Sequence, residues 1–388
     1  MHKEIKYSHG NLTKMLFSKR KEERIMYVNQ LTQLRGVAAL FVVFAHIART
    51  IEYSYYTADP AIENSVFDFF GLGSFGVILF FTLSGCTLFI SNNSLPFNKI
   101  QSFYIKRFLR IWPAFIVSLI FYFLFRMVFE IFYTAPTGAW IEAQFIKDFN
   151  SLDIFLYATL SFNFFGQLEL FNNAYWSLPV EFQYYLLFPL FVYLITHKHF
   201  LAFIFAAIVF YALPRAGMLN ISSNLIFSLS FSFTGGILIG YLYKRYVFDM
   251  KQSLAALILI IILILVLVIK NNMIKIDTIP FLSNKWNFYI ICSTIIVFIT
   301  LNVDFKIQDR LGAILIYLGK TSYSTYLYHN LAIAFSLLVY LNINIQNGLL
   351  KILFIPISSL IITLLIAHLS YIYIEVPSIK LGKKLSRK

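Results

Sequence analysis

Ten apolar runs follow one another along 388 residues, near 31–51, 75–92, 108–133, 177–196, 199–214, 224–243, 253–270, 287–303, 314–342 and 349–374. As a helix, a run of about 20 apolar residues matches the roughly 30 Å hydrocarbon core of a bilayer. Ten such runs use about 200 positions and leave only short connections between them. The expected fold is all-α, a polytopic integral membrane protein of ten transmembrane helices. Only 13% of residues are charged, against about 25% in a soluble domain. The 43 Phe and 25 Tyr exceed what one soluble core can bury. These features exclude a disordered chain, a disulfide scaffold and a water-soluble enzyme.

Charge placement orients the spans. Lys14, Lys19, Arg20, Lys21 and Arg24 precede the first run, and Lys99, Lys106, Arg107 and Arg110 lie between the second and third. "HKH" (197–199), "YKR" (243–245), "DFKIQDR" (304–310) and the closing "KLGKKLSRK" then fall on the same side. By the positive-inside rule that side is cytoplasmic, and both termini belong to it. This rule also accounts for the net charge of +14 without a nucleic-acid partner. Lys270, Lys275 and Lys285 weaken the bias outside. The expected organisation is a cytoplasmic tail (1–29), a ten-helix domain (30–375) and a basic cytoplasmic tail (376–388). Residues 1–29 hold no apolar stretch, so no cleavable signal peptide is expected. "DIFLYATLSFNFF" (153–165) is too short to span and suits a re-entrant or interfacial segment. "LAALILIIILILVLVI" (254–269) has no polar residue, so it faces lipid or the bundle interior and carries no chemistry.

Ionisable residues within the spans are costly and are functional candidates by default. In "LRGVAALFVVFAHI" Arg35 and His46 stand 11 residues apart, about 20° past three full turns and roughly 16 Å along the helix. They share one face, with the cation near the cytoplasmic mouth and the imidazole deeper. Arg35 also fits a cation snorkelling to lipid, and His46 a packed histidine. Ser84 and Gly85 permit close helix approach. Lys106, Arg107 and Arg110 are read at a helix start, where N–H groups favour anions. With Arg35 they form a cationic mouth that fits either lipid headgroups or a phosphate-bearing cofactor. Glu181, in "NNAYWSLPVEFQYYLLFPLF", could orient an imidazole or accept from the N-terminal N–H groups of its own helix. Arg126 and Glu130, at i and i+4, are expected to neutralise each other. His329 and Glu375 are further candidates. No second histidine or cysteine stands at ligand spacing on the His46 helix, so no metal site is expected. Cys86 and Cys292 lie in apolar runs and read as buried thiols, not a disulfide.

Five segments, "LRGVAALFVVFAHI", "FGVILFFTLSG", "FYIKRFLRIWPAF", "YWSLPVEFQYYLLFP" and "LGKTSYSTYLYHNLAI", resemble, in order, the motifs of membrane acyltransferase family 3. "YIYIEVPSIKLGKKL" closes the chain as members of that family close. The family includes bacterial O-antigen, exopolysaccharide and Nod-factor O-acetyltransferases and macrolide acylases. Ile78 and Phe182 stand where members often carry acidic residues. No appended esterase-like segment is seen, so a stand-alone transferase is expected. The resemblance implies acyl transfer, most often acetyl from acetyl-CoA, to a hydroxyl of a cell-envelope glycan or lipid-linked sugar at the bacterial cytoplasmic membrane. The family's intramembrane Arg-to-His pair falls on Arg35 and His46, its basic motif on Arg107 and Arg110, and its glutamate on Glu181. With the cationic mouth, the expected base is His46 with Glu181 as its acidic partner, and the expected acyl-CoA site is Arg35, Lys106, Arg107 and Arg110. For the acceptor, the expected residues are Tyr175, Trp176, Tyr323 and His329, with Tyr53, Tyr55, Tyr56, Trp140, Phe164 and Phe165 as further aromatic faces. Two rival readings are a lipid-linked glycan flippase, which would spread charged residues over several helices and internal repeats, and a passive sensor, which gives His46 no purpose.

Overall fold

The computed structural model describes residues 29–50, 71–132, 139–165, 170–197, 199–212, 225–246, 248, 250–274, 281–282, 284–305, 309–343 and 348–387. Among them there is no β-strand. The α-helices of seven or more residues are α1 (Asn29–Thr50), α2 (Gly73–Asn92), α3 (Ile100–Phe132), α4 (Ala139–Phe145), α5 (Ser151–Ala158), α6 (Ser177–Thr196) and α7 (Phe200–Ala212). They continue with α8 (Ser230–Arg245), α9 (Gln252–Lys270), α10 (Lys285–Asn302), α11 (Asp309–Asn342), α12 (Gly348–Ser370) and α13 (Val376–Leu385). Among the described residues, eight helical stretches are long and apolar enough to cross a membrane, built on α1, α2, α3, α6, α8, α9, α10 and the α12–α13 rod. This is the composition of a multi-pass membrane protein. Two of the ten expected spans are not in this set. The run at 199–214 becomes α7, whose 13 residues reach only about 20 Å. The run at 314–342 becomes α11, long enough at 34 residues but carrying Arg310, Lys320 and a row of hydroxyls.

Backbone-to-backbone crossings hold the bundle together. A Cβ at Gly236 of α8 would lie 2.1 Å from the Thr82 carbonyl oxygen of α2, and one at Gly85 would lie 2.1 Å from that of Phe233. At the α1–α11 crossing, a Cβ at Gly319 would lie 1.8 Å from the Thr32 oxygen. Only glycine allows these contacts, in a medium where association depends on close packing. Gly236→Val is expected to force α2 and α8 apart, at a cost of roughly 1–3 kcal/mol or more. A lower unfolding midpoint of the purified protein in micelles would register it; an unchanged midpoint would mean the crossing is not tight.

Two segments differ from the sequence expectations, and a third is too short to cross, as its length suggests. Helix α3 begins at Ile100, after a 3₁₀ turn at Phe97–Lys99, so Lys106, Arg107 and Arg110 lie inside a helix. Their neighbours' N–H groups are spent on the ladder and cannot bind an anion. The segment from 376 is no break in the fold. It continues α12 through a π turn at Tyr371–Glu375 and lies on α3, with Ser102 Oγ donating to the Ser386 carbonyl at 3.2 Å. The 153–165 stretch folds as α5 and a 3₁₀ turn at Phe162–Phe164, and α5 is about 12 Å long, well short of a crossing. An Asn150–Asp153 capping box starts it. On α9 only Ala255, Ile262, Val266 and Ile269 are buried, which puts that helix at the rim of the bundle. Cys86 and Cys292 are free, buried thiols.

Candidate functional site

Helices α1, α2, α3, α6 and α11 surround a cavity of about 250 Å³. Arg35 enters it from α1, and its Nη2 donates to Thr87 Oγ1 at 2.8 Å. Arg107 and Arg110, one turn apart on α3, point into the same space. The Arg107 guanidinium lies against the rings of Phe103 and Tyr185, 5.6 and 5.8 Å from their centroids. Its Nε is buried with no hydrogen-bond partner. A buried charged donor left unpaired is expensive, which marks it as waiting for an acceptor. Among the described residues, Glu181 is the one carboxylate lining the cavity. Its Oε1 accepts from the Tyr185 hydroxyl at 2.5 Å and from Ser84 at 3.2 Å. Glu375 stands within electrostatic reach of Arg110, buried and held by Ser324 Oγ at 3.1 Å. Three guanidinium groups thus face a cavity that one carboxylate lines. The surplus of positive charge fits a polyanion.

Lys106 is exposed and does not line the cavity. Tyr323 does, with its hydroxyl donating to the Ile111 carbonyl at 2.8 Å. Tyr326 also lines the cavity. Its hydroxyl donates to the Ala174 carbonyl at 2.5 Å and meets Ser177 Oγ at 2.7 Å.

Against Tyr326 lies a pair of imidazoles. His46 of α1 and His329 of α11 approach with Nδ1 of the first 2.8 Å from Nε2 of the second. Asn330 Oδ1 is also 2.8 Å from His46 Nδ1. The Asn330 amide nitrogen donates to Asn172 Oδ1 at 2.8 Å and to Asn173 Oδ1 at 2.9 Å. His329 Nδ1 lies 2.8 Å from the Tyr326 carbonyl oxygen. Here His46 is half-buried, and His329 and Asn330 are fully enclosed.

The structure brings Arg35, Arg107, Arg110 and Glu181 into one cavity, and His46 and His329 into contact beyond it. It does not put the Glu181 carboxylate beside the imidazole; Asn330 and His329 stand there. Tyr175 is fully buried, its hydroxyl 2.7 Å from Ser118 Oγ, so it has no face to offer a glycan. Trp176 is half-buried and stacks on Trp286 at 6.0 Å. Phe164 and Phe165 are exposed, whereas Tyr53, Tyr55 and Tyr56 lie outside the described residues. The Arg126–Glu130 ion pair forms at 3.3 Å, but Arg126 also donates to the Lys147 and Ile146 carbonyls. Among the described residues no group of three His, Cys, Asp or Glu could hold a metal ion. Asn330 and the Asn172–Asn173 pair were missed from sequence. The signal available was two adjacent amides just before α6 and a third directly after His329.

Comparison with known proteins places residues 28–368 in the "Acyltransferase domain" family Acyl_transf_3. The O-acetyl transferase of Shigella phage Sf6 is 29% identical over 208 residues, 50% of this chain and 54% of that protein. Acyltransferase MdmB of Streptomyces mycarofaciens is 30% identical over 169 residues, 43% of this chain and 40% of that protein. The chain thus spans about half the length, or less, of these curated relatives. No solved structure matches it significantly.

Proposed function

The chain belongs to the Acyl_transf_3 acyltransferase family, and from that premise we propose a membrane O-acyltransferase with cytoplasmic termini and α7 and α11 completing ten spans in the bacterial cytoplasmic membrane. The donor is an acyl-CoA, most simply acetyl-CoA, and the acceptor a hydroxyl of a cell-envelope glycan or lipid-linked sugar. The observation that carries this reading is the cavity of three guanidinium groups, with the unpaired Nε of Arg107 among them. CoA brings phosphate and pyrophosphate oxygens to such a site from the cytoplasm, the side to which positive charge assigns Arg107 and Arg110.

In this reading the phosphates lie among Arg35, Arg107 and Arg110, and the thioester reaches inward towards Tyr326. His46 takes the proton of the attacking hydroxyl. The hydroxyl oxygen forms a bond to the acyl carbon, the carbon–sulfur bond breaks, and the proton on His46 passes to the departing thiolate. Free CoA and the O-acyl glycan result, with no redox partner. Purified protein in nanodiscs, given acetyl-CoA and an envelope glycan fraction, should release free thiol in step with O-acetyl ester. Absence of donor consumption with every acyl-CoA tried would sink the reading.

Glu181 enters as part of the donor cavity, because its hydrogen bonds run to Ser84 and Tyr185 on the cavity wall. Glu181→Gln removes a negative charge that opposes phosphate. The expected result is a several-fold lower KM for acyl-CoA with kcat changed by no more than about threefold. A collapse of kcat at unchanged KM would instead tie Glu181 to the imidazole.

A further inference from the structure

The contacts around His46 determine which of its nitrogens carries the proton. The Tyr326 carbonyl oxygen can only accept, so the 2.8 Å contact requires a proton on His329 Nδ1. A neutral His329 then carries its lone pair on Nε2, and His46 must donate to it through Nδ1–H across 2.8 Å. The amide of Asn330 agrees. Its NH₂ group is committed to the side-chain oxygens of Asn172 and Asn173, so its Oδ1 turns to His46 Nδ1 as a second acceptor. Two acceptors therefore share one N–H, and the basic lone pair of His46 stands on Nε2.

From this geometry we infer that His329 is a positioning residue. It locks His46 as the Nδ1–H tautomer and, with Asn330, holds the imidazolium that forms when Nε2 takes a hydroxyl proton. The inference deepens the acyl-transfer reading and rests on it for its catalytic meaning. The locking itself is a property of the resting protein. A carboxylate commonly does this work for a catalytic histidine. Here a neutral imidazole and a neutral amide do it, which suits a buried place where an extra charge would be costly. Tyr326 joins the two halves of the site: it lines the donor cavity, and its backbone oxygen sets the tautomer of His329.

The test uses the whole protein in bilayers. With ¹⁵N-labelled histidine, solid-state NMR reports which ring nitrogen is protonated, and the His46 signals among seven histidines are assigned by their loss in His46→Gln. Wild type should show His46 protonated at Nδ1, and His329→Leu should lose that preference. His329→Gln keeps an acceptor near the old Nε2 position and should retain it. In turnover, His329→Leu should lower kcat about tenfold or more at unchanged acyl-CoA KM, and His329→Gln should recover most of the loss. Because the acceptors favour the charged imidazole, their loss should also move the acid limb of the kcat profile to lower pH. Proton on Nε2 in the wild type overturns the inference, as do equal kcat losses in both variants with an unmoved limb, the mark of packing alone. A wild type that shows the Nδ1–H tautomer yet consumes no acyl-CoA leaves the histidine pair standing and removes the acyl-transfer reading.

Discussion

Replacing His46 with alanine should lower glycan acylation at least about a hundredfold, the usual scale for a general base, while the protein still inserts. The side chain is half-buried and not part of a glycine crossing, so its loss leaves the α1–α11 packing at Gly36 and Gly319 intact. What it removes is the donor to His329 Nε2 and to Asn330 Oδ1, together with the only proton acceptor this reading gives to the attacking hydroxyl. Two buried acceptors then lack a partner, at a cost of roughly 1–3 kcal/mol each unless water enters. For that reason His46→Gln belongs beside it, since the glutamine amide can donate to the same acceptors while offering no titratable nitrogen. Both variants should be inactive, and the glutamine variant should unfold nearer to wild type. Ester formation by the alanine variant at a rate close to wild type would make His46 a packed residue and end its catalytic assignment.

Hydropathy located the helices because burial in lipid is written along each run separately. It misjudged ends. The third apolar run is read from 108, yet α3 starts at Ile100, since a helix extends by its own hydrogen-bond ladder regardless of side-chain polarity. The π turn at Tyr371–Glu375 leaves no such trace, and neither does the docking of α13 on α3. The phase of Arg35 and His46 was legible because both belong to one helix with a fixed 100° step. Their partners were not. His329 lies 283 positions from His46, and periodicity carries no information about which helices are neighbours. Glu181 has one partner that spacing does show: Tyr185, whose hydroxyl donates to it, is four residues on, one turn along the same helix.

The donor cavity makes the second large prediction. Arg107→Gln and Arg110→Gln should each raise the acyl-CoA KM about tenfold, because a hydrogen bond to a charged group is worth roughly 1.5–3 kcal/mol and 1.4 kcal/mol is a factor of ten. Together they should approach a hundredfold unless they share one phosphate, in which case the losses will not add. Arg107 should be the more severe, since its buried Nε lacks a partner until an anion arrives, whereas Arg110 has Glu375 within reach. Lys106, exposed and outside the cavity, serves as the control: Lys106→Gln should leave KM within about twofold. Salt sharpens the comparison. Donor affinity of wild type should weaken as ionic strength rises, but less steeply than for an exposed cluster, because buried charges are poorly screened. A lipid-anchoring role for the same arginines predicts a different pattern, with loss of insertion or orientation in all three variants, Lys106 included, and unchanged KM in whatever protein reaches the membrane. Topology and kinetics measured on the same preparations therefore decide between phosphate of the donor and phosphate of the bilayer.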